Sequence, residues 1–292
     1  MAALETTDPA LAADLVSPVR RAPRLSPALV IALGWIVLLL MLATLAPLLP
    51  IPSPTDIDFL AKRAPPSAIH WLGTDNLGRD ELARLIWGAR TSLSVGLLAP
   101  VIGIVLGGAL GLLSGYFRGW LEAVVVSGVD VLLAFPPLVF ALAVTACLGQ
   151  SVPNIILVLG VLAIPAFTRV ARAATLSLAE REFVTAARAL GATDARILVR
   201  ELLPNVALPL LAFFLIGVAV TIVVEGALSF LGLGVPPPAP SWGIMIGEGR
   251  ETLEVAPRLA FIPAIAMFLT VLAFNIVGDA LRAVADPRQS AL

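Results

Sequence analysis

The chain has 292 residues, of which 59% are hydrophobic and only 13% are charged, and its mean hydropathy is +0.99. This composition excludes an ordinary soluble domain and indicates a membrane protein with several spans. The formal net charge of −1 gives no general attraction to nucleic acid, and the single cysteine and single histidine exclude an internal disulfide and disfavour a Cys- or His-based metal site.

Six apolar segments are long enough to cross the ~30 Å hydrocarbon core as helices. The sequence begins with acidic residues and reaches Arg20, Arg21 and Arg24 only later, so the positive n-region of a signal peptide is not at its start. The first apolar segment is also too long for a signal sequence, and we expect it to be retained. Residues 1–26 and 286–292 are then terminal tails. We predict the spans at about 27–49, 91–116, 123–147, 154–175, 206–230 and 257–280.

Two polar connections lie on the side of the membrane opposite the tails. Residues 231–256 are rich in Pro and Gly and cannot form a span. Residues 50–90 contain apolar positions at helical spacing, which predicts a helix lying at the membrane interface. These positions are Leu82, Leu85, Ile86 and Ala89.

Ionisable residues inside spans are costly in lipid and usually meet a partner or a cavity. Glu225 lies in the fifth predicted span and Asp130 in the third. Both are candidates for lining a translocation path, and pairing with another helix is the favoured alternative for each. Cys147 lies in an apolar run, and we expect it to pack in the core.

Catalytic motifs are missing from the sequence. The only lysine is Lys62, so the chain has no G-x-x-x-x-G-K-[ST] phosphate loop and does not hydrolyse ATP itself. It also lacks G-x-S-x-G and H-E-x-x-H, which disfavours a membrane-embedded hydrolase. With the N-terminus inside, twelve of the nineteen Arg and Lys residues lie on the side of the tails and of the connection between the fourth and fifth spans, and seven lie on the other side, so we expect that connection and both termini in the cytoplasm.

The connection over 176–205 interrupts the apolar pattern with two short amphipathic segments. Gly191 is expected to end the first helix, Thr193 or Asp194 to begin the second, and Pro204 to stop it. The pattern alone leaves two interpretations open: docking into a groove of another protein, or a solvated connector. The apolar positions of the first helix are Phe183, Ala186, Ala187 and Leu190.

This stretch, "TAARALGATDARILVRELLPN", resembles the EAA loop of ABC importer permeases. The family pattern is E-A-A, three residues, Gly, nine residues and I-x-L-P. Thr185 stands where the family has Glu, and Glu201 where the general pattern has Ile. The positions that match in register are Ala186, Ala187, Gly191, Leu203 and Pro204.

Further blocks in the same order resemble the second permease subunit of dipeptide, oligopeptide and nickel ABC importers. Six blocks in order are far more specific than a single motif. They are "HWLGTDNLGRD" (70–80), "GARTSLSVGLLA" (88–99), "VDVLLAFPPL" (129–138), "EREFVTAARALGA" (180–192), "LSFLGLGVPPPAPSWG" (228–243) and "LAFNIVGDALRAVADPR" (272–288).

The resemblance implies an all-α membrane protein with the type I importer permease fold, whose five-helix core spans 91–285. It implies a bacterial inner-membrane subunit that pairs with a homologous permease, with two cytoplasmic ATPases that bind ATP and Mg²⁺, and with an extracytoplasmic binding protein. No cofactor is expected in this chain. The residues implied to couple it to an ATPase are Phe183, Thr185, Ala186, Ala187, Leu190, Gly191, Leu203 and Pro204.

Two other classes of function remain open from the residues. A self-sufficient channel or ion-coupled carrier would transport solute alone, and we would expect more paired ionisable groups within its spans. A membrane enzyme is disfavoured by the missing motifs. The cargo, whether dipeptide, oligopeptide, nickel chelate or another small solute, is left undetermined by the sequence.

Overall fold

Long helices make up most of residues 26–285, the part of the chain described by this computed structural model. The two tails predicted at 1–26 and 286–292 lie outside these residues, except for Ser26. Within the described range, the extended pairing is one isolated antiparallel bridge, between Thr74 and Asp80. In chain order, the helices are α1 Pro27–Leu45, α2 Glu81–Phe117, α3 Gly119–Leu133, α4 Pro137–Leu148, α5 Val152–Ala179, α6 Glu182–Ala189, α7 Asp194–Phe230, α8 Trp242–Arg250 and α9 Arg258–Ala285.

Five of these helices, α1, α2, α5, α7 and α9, are long and apolar enough to cross a membrane, and the bent pair of α3 and α4 forms either a broken sixth span or a re-entrant loop. The predicted all-helical membrane class is therefore confirmed, with five long spans and the bent pair in place of the sixth. α7 packs against α9, α2 and α5, and α1 lies on α9 and α2. These contacts place α7 at the centre of the bundle.

The first span begins where the sequence predicts it. The Ser26 hydroxyl accepts a hydrogen bond from the amide of Leu29 at 3.2 Å, and Pro27 occupies the first turn, where its missing N–H costs nothing. The indole Nε1 of Trp35 donates to Thr270 Oγ1 at 3.1 Å, which fixes α1 against α9.

The second span begins ten residues earlier than predicted. The Asp80 carboxylate accepts from the Ala83 amide at 2.7 Å and starts a helix that runs unbroken to Phe117. The predicted interfacial helix is wrong, because its face carrying Ile86 and Ala89 is buried in the bundle. The start of the span was predicted too late because the charges of residues 80–90 lower the local hydropathy. Two of these charged residues, Glu81 and Arg84, are in fact buried within the protein.

α2 contains a π-helical segment, Gly103–Gly107, shortly after Pro100. Glycines from this segment onward bring α2 into direct contact with α5. A Cβ on Gly107 would lie 2.5 Å from the Ile164 carbonyl oxygen, and one on Gly111 would lie 2.4 Å from that of Thr168. Small residues allow such close approach between membrane helices, so α2 and α5 form a tightly packed pair.

The third predicted span, 123–147, is not one helix. α3 ends at Leu133, α4 begins at Pro137, and their axes differ by 82°. The reason is local: Phe135 and Pro136 each precede a proline, which disfavours the helical backbone at both positions. Cys147 near the end of α4 is exposed, so its predicted place in the core of this chain is wrong.

The connection between α5 and α7 folds back on itself, and we call residues 180–202 the hairpin. α6 lies within it, and α7 starts at Asp194 with the Thr193 hydroxyl as its cap. Pro204 does not stop this helix as predicted. A π-helical segment, Ile197–Leu202, precedes it, so Pro204 falls in the first turn of a new α-helical segment that needs no N–H there.

Candidate functional site

The hairpin presents one face of α6 to solvent and packs the other on α7. Val184 is 0% exposed and lies in a cluster with Ile197, Leu198 and Leu202. Ala187 is half-buried against the same cluster. The sequence placed Ala187 on the docking face, but the structure places it at the boundary with the buried face.

The outward face of α6 is apolar although none of residues 26–285 covers it. Leu190 is 88% exposed and Phe183 is 39% exposed, and Ala186 between them is also exposed. These positions are three and four residues apart, which aligns them on one side of the helix. Thr185, which stands where the family pattern has Glu, is exposed beside them, so this chain has an uncharged side chain at that position.

Gly191 sets the turn that ends α6. Its φ is +80°, and a Cβ there would meet nothing within 4 Å, so the residue is needed for its backbone conformation rather than for space. The Ala192 amide donates to the Ala187 carbonyl and the Gly191 amide to the Arg188 carbonyl, both at 3.0 Å. This pair of bonds is the Schellman motif, and it fixes the direction in which the chain leaves α6.

Leu203 and Pro204 lie on α7 beyond the π-helical segment, and both are exposed. The Asn205 side-chain amide donates to the Glu201 carbonyl at 2.6 Å, so Asn205 does not cap a new helix. Leu203 and Pro204 therefore lie where the hairpin continues into the rest of α7, and they are not part of the outward face of α6.

Glu225 is fully buried at the meeting point of α2, α7 and α8. Its carboxylate accepts from Ser92 Oγ at 3.0 Å and from Ser229 Oγ at 2.7 Å. The same hydroxyls accept the backbone amides of Trp242 and Val235, each at 3.3 Å. Glu225 thus joins three parts of the chain, and its role in a path stays a prediction.

Asp130 lies on the exposed side of α3 and pairs with Arg169 of α5 at 2.8 Å. A second pair nearby joins Arg172 to Glu122. The side chains of Asp130 and Arg169 are 56% and 62% exposed on the surface of this chain. The position of the Asp130–Arg169 pair between two spans agrees with the interhelical alternative, and contact with a solute stays a prediction.

The opposite end of the bundle holds a cluster of buried charges that the sequence did not reveal. Asp75 accepts from the backbone amides of Leu77 and Arg79 and from Arg79 Nε at 2.6 Å. Arg79 and Arg84 each donate to Glu248 Oε2 at 2.8 Å. Through Arg79, the motif "HWLGTDNLGRD" (70–80) is therefore bound to Glu248 of α8.

His70 takes part in this end of the structure through Asp80, whose carboxylate lies 2.8 Å from His70 Nδ1. Within residues 26–285, no three His, Cys, Asp or Glu side chains come together as metal ligands would. The arrangement is that of a structural contact.

The fold and the site define a class: an all-helical, multi-pass permease of the type I importer fold, with an exposed amphipathic helix in the connection between two spans. Residues 103–291 match the family of binding-protein-dependent transport system inner membrane components. The chain belongs to this family and is a multi-pass inner-membrane permease subunit.

Two curated relatives carry the name glutathione transport system permease protein GsiD. The protein from Pectobacterium atrosepticum is 41% identical over 241 residues, which are 82% of this chain and 80% of the relative. That from Escherichia coli O157:H7 is 43% identical over 223 residues, covering 76% of this chain and 74% of the relative.

Solved structures of the MetNI methionine ABC transporter in inward-facing conformations share the fold. One has a TM-score of 0.57 at 22% identity and covers 69% of this chain and 96% of the compared chain. A second crystal form gives a TM-score of 0.56 at 19% identity, with 70% and 97% covered.

Proposed function

We propose that this chain forms half of the translocation path of an ATP-driven ABC importer and takes its energy from an ATPase subunit through α6. The observation that carries this proposal is the outward apolar face of α6, where Phe183, Ala186 and Leu190 are exposed at helical spacing. Exposed apolar side chains at helical spacing suit insertion into a groove of a partner protein.

The direction of coupling follows from what the chain lacks and from its arginine distribution. It has no phosphate-binding loop, so ATP and Mg²⁺ are bound by the partner ATPases and this chain carries no cofactor. The arginine excess supports a cytoplasmic position for the hairpin and both termini. ATP-driven closure of the ATPases then shifts the permease between inward- and outward-facing states.

The proposed partners are a homologous second permease, two cytoplasmic ATPases and an extracytoplasmic binding protein. The proposed cargo is a small peptide, di- or oligopeptide in size, and the glutathione named for the relatives is a peptide of this kind. A nickel chelate is the alternative cargo within the wider family.

The proposal is tested by reconstituting the complete complex in liposomes and measuring uptake of labelled glutathione and of a labelled dipeptide. Uptake is expected only with ATP, loaded binding protein and all subunits present. Liposomes with this chain alone serve as the control, because transport by the lone chain would identify a channel or carrier instead. Nickel uptake without peptide uptake would overturn the peptide assignment.

A further inference from the structure

We propose that Tyr116 is a positioning residue that fixes the hairpin to the end of α2, so that movement of α6 is passed to α2. The inference rests on the proposed function, because it concerns how that function is coupled. Nothing in the sequence motifs assigns a role to this residue, which is the only tyrosine in the chain.

A continuous chain of hydrogen bonds passes through the Tyr116 hydroxyl. Arg188 Nη2 of α6 donates to the hydroxyl oxygen at 3.3 Å, and the hydroxyl donates to Asp194 Oδ1 of α7 at 2.6 Å. The Arg188 guanidinium also lies over the phenol ring, 6.0 Å from its centroid. One hydroxyl at the exposed surface therefore joins three helices.

The ring of Tyr116 is held in place by packing. It is half-buried against the cluster that contains Val184, Ile197 and Leu202, so its hydroxyl keeps a defined position. A second contact, between Arg118 and Glu180, also joins the end of α2 to the hairpin at 2.7 Å. Those side chains are 45% and 72% exposed, so solvent weakens this pair.

Movement of the hairpin can reach α2 directly only through side-chain contacts, because α2 is not next to the hairpin in the chain. α6 is joined through the backbone only to α5 and α7. α2 is one helix of 37 residues, about 55 Å long, and its far end holds α8 through Arg84 and Glu248. A hairpin fixed to Tyr116 therefore acts on a rod that reaches the opposite end of the bundle.

The test uses the complete complex in liposomes and measures solute transported per ATP hydrolysed. Tyr116→Phe keeps the ring and removes the hydroxyl, and Asp194→Ala removes the acceptor. Each is expected to lower the transport-to-ATP ratio about tenfold, as for the loss of one hydrogen bond to a charged group. Asp194→Asn retains an acceptor oxygen and is expected to rescue the ratio.

The double variant Tyr116→Phe/Asp194→Ala is expected to be no worse than either single variant, because both remove the same bond. Arg118→Gln is the comparison variant, with a ratio within about twofold of the parent protein, since the Arg118–Glu180 ion pair is exposed and, unlike the Tyr116 ring, neither side chain is packed in the cluster that holds the hairpin. If the complex carrying Tyr116→Phe does not assemble, the transport-to-ATP ratios of Asp194→Asn and Asp194→Ala are compared instead.

Equal ratios in Asp194→Asn and Asp194→Ala, or an unchanged ratio in Tyr116→Phe, overturn the inference. Neither result affects the proposed function, which fails only if the parent complex shows no ATP-dependent uptake. A structural role alone would lower the amount of assembled complex without changing the ratio.

Discussion

The guanidinium of Arg84 and the carboxylate of Glu248 lie 2.8 Å apart, although 164 residues separate them in sequence. The Arg84 side chain is only 1% exposed, whereas that of Glu248 is 36% exposed. The pair joins the beginning of α2 to α8, and a second arginine, Arg79, shares the same carboxylate oxygen.

Replacing Glu248 by Gln should therefore destabilise the protein. The change leaves two arginines with a weaker acceptor, and a buried donor without its partner costs roughly 1–3 kcal/mol. The measurement is thermal unfolding of the purified chain in detergent. Glu254→Gln is the control, since Glu254 is exposed in the same connection and should leave the melting temperature unchanged. A melting temperature equally unchanged in Glu248→Gln would contradict the assignment.

Replacing Leu190 by Ser should weaken ATPase binding without destabilising the permease. Leu190 is almost fully exposed, so its loss should change the free energy of unfolding by less than about 0.5 kcal/mol. An apolar anchor in an interface contributes more, and the affinity should fall about tenfold or more. Val255→Ser, at an exposed apolar position beyond the other end of the bundle, is the control. Copurification of the ATPases reports the effect, and equal copurification of both variants argues against docking through α6.

Replacing Gly191 by Val should disturb the same contact through the backbone. A β-branched residue at φ +80° costs of order 1–3 kcal/mol and misdirects the chain after α6. Gly149→Val is a matched control, because Gly149 has φ +83° with open space around it but follows α4 at the opposite end. We expect reduced ATPase copurification only for Gly191→Val; the same yield from both would show that the turn does not matter for docking.

Replacing Glu225 by Gln should impair uptake in an assembled complex. The carboxylate now accepts one hydrogen bond from each of two serine hydroxyls. The amide nitrogen of glutamine cannot accept a hydrogen bond, so one of these two is lost at a cost of roughly 1–2 kcal/mol. Ser92→Ala loses one serine contact to Glu225, together with the acceptor of the Trp242 amide, but keeps the carboxylate. If the carboxylate acts in the path, labelled-peptide uptake falls further in Glu225→Gln than in Ser92→Ala at similar stability. Equal uptake would assign Glu225 a structural role only.

Apolar content and helix signals predicted the five long spans, the end of α6 at Gly191 and the cap of α7, for which Thr193 was one of two candidates, because each depends on a few neighbouring residues. The start of α2 was missed because hydropathy treats Arg84 as a surface residue, whereas Glu248 and Asp75 neutralise it inside the protein. Long-range partners of this kind carry no local signal.

The same limit applies to the candidate site. The spacing of Phe183, Ala186 and Leu190 gave the outward face, but the inward turn of Ala187 depends on residues of α7. Tyr116 lies in an apolar segment far from the hairpin in sequence, and only the folded chain brings its hydroxyl to Asp194. Pro204 was misinterpreted because a π-helical segment before a proline is not visible in the residue pattern.

The break between α3 and α4 has a consequence for how this segment is accommodated in lipid. These helices have 15 and 12 residues, about 22 and 18 Å, so neither is long enough to cross the hydrocarbon alone. Pro136 and Pro137 have no N–H to offer the carbonyls of Leu132 and Leu133, and lipid cannot replace those donors. The carbonyls at the break therefore require water or a neighbouring subunit beside them wherever the segment lies within the hydrocarbon, so an isolated copy is expected to be less stable in a bilayer than the assembled complex.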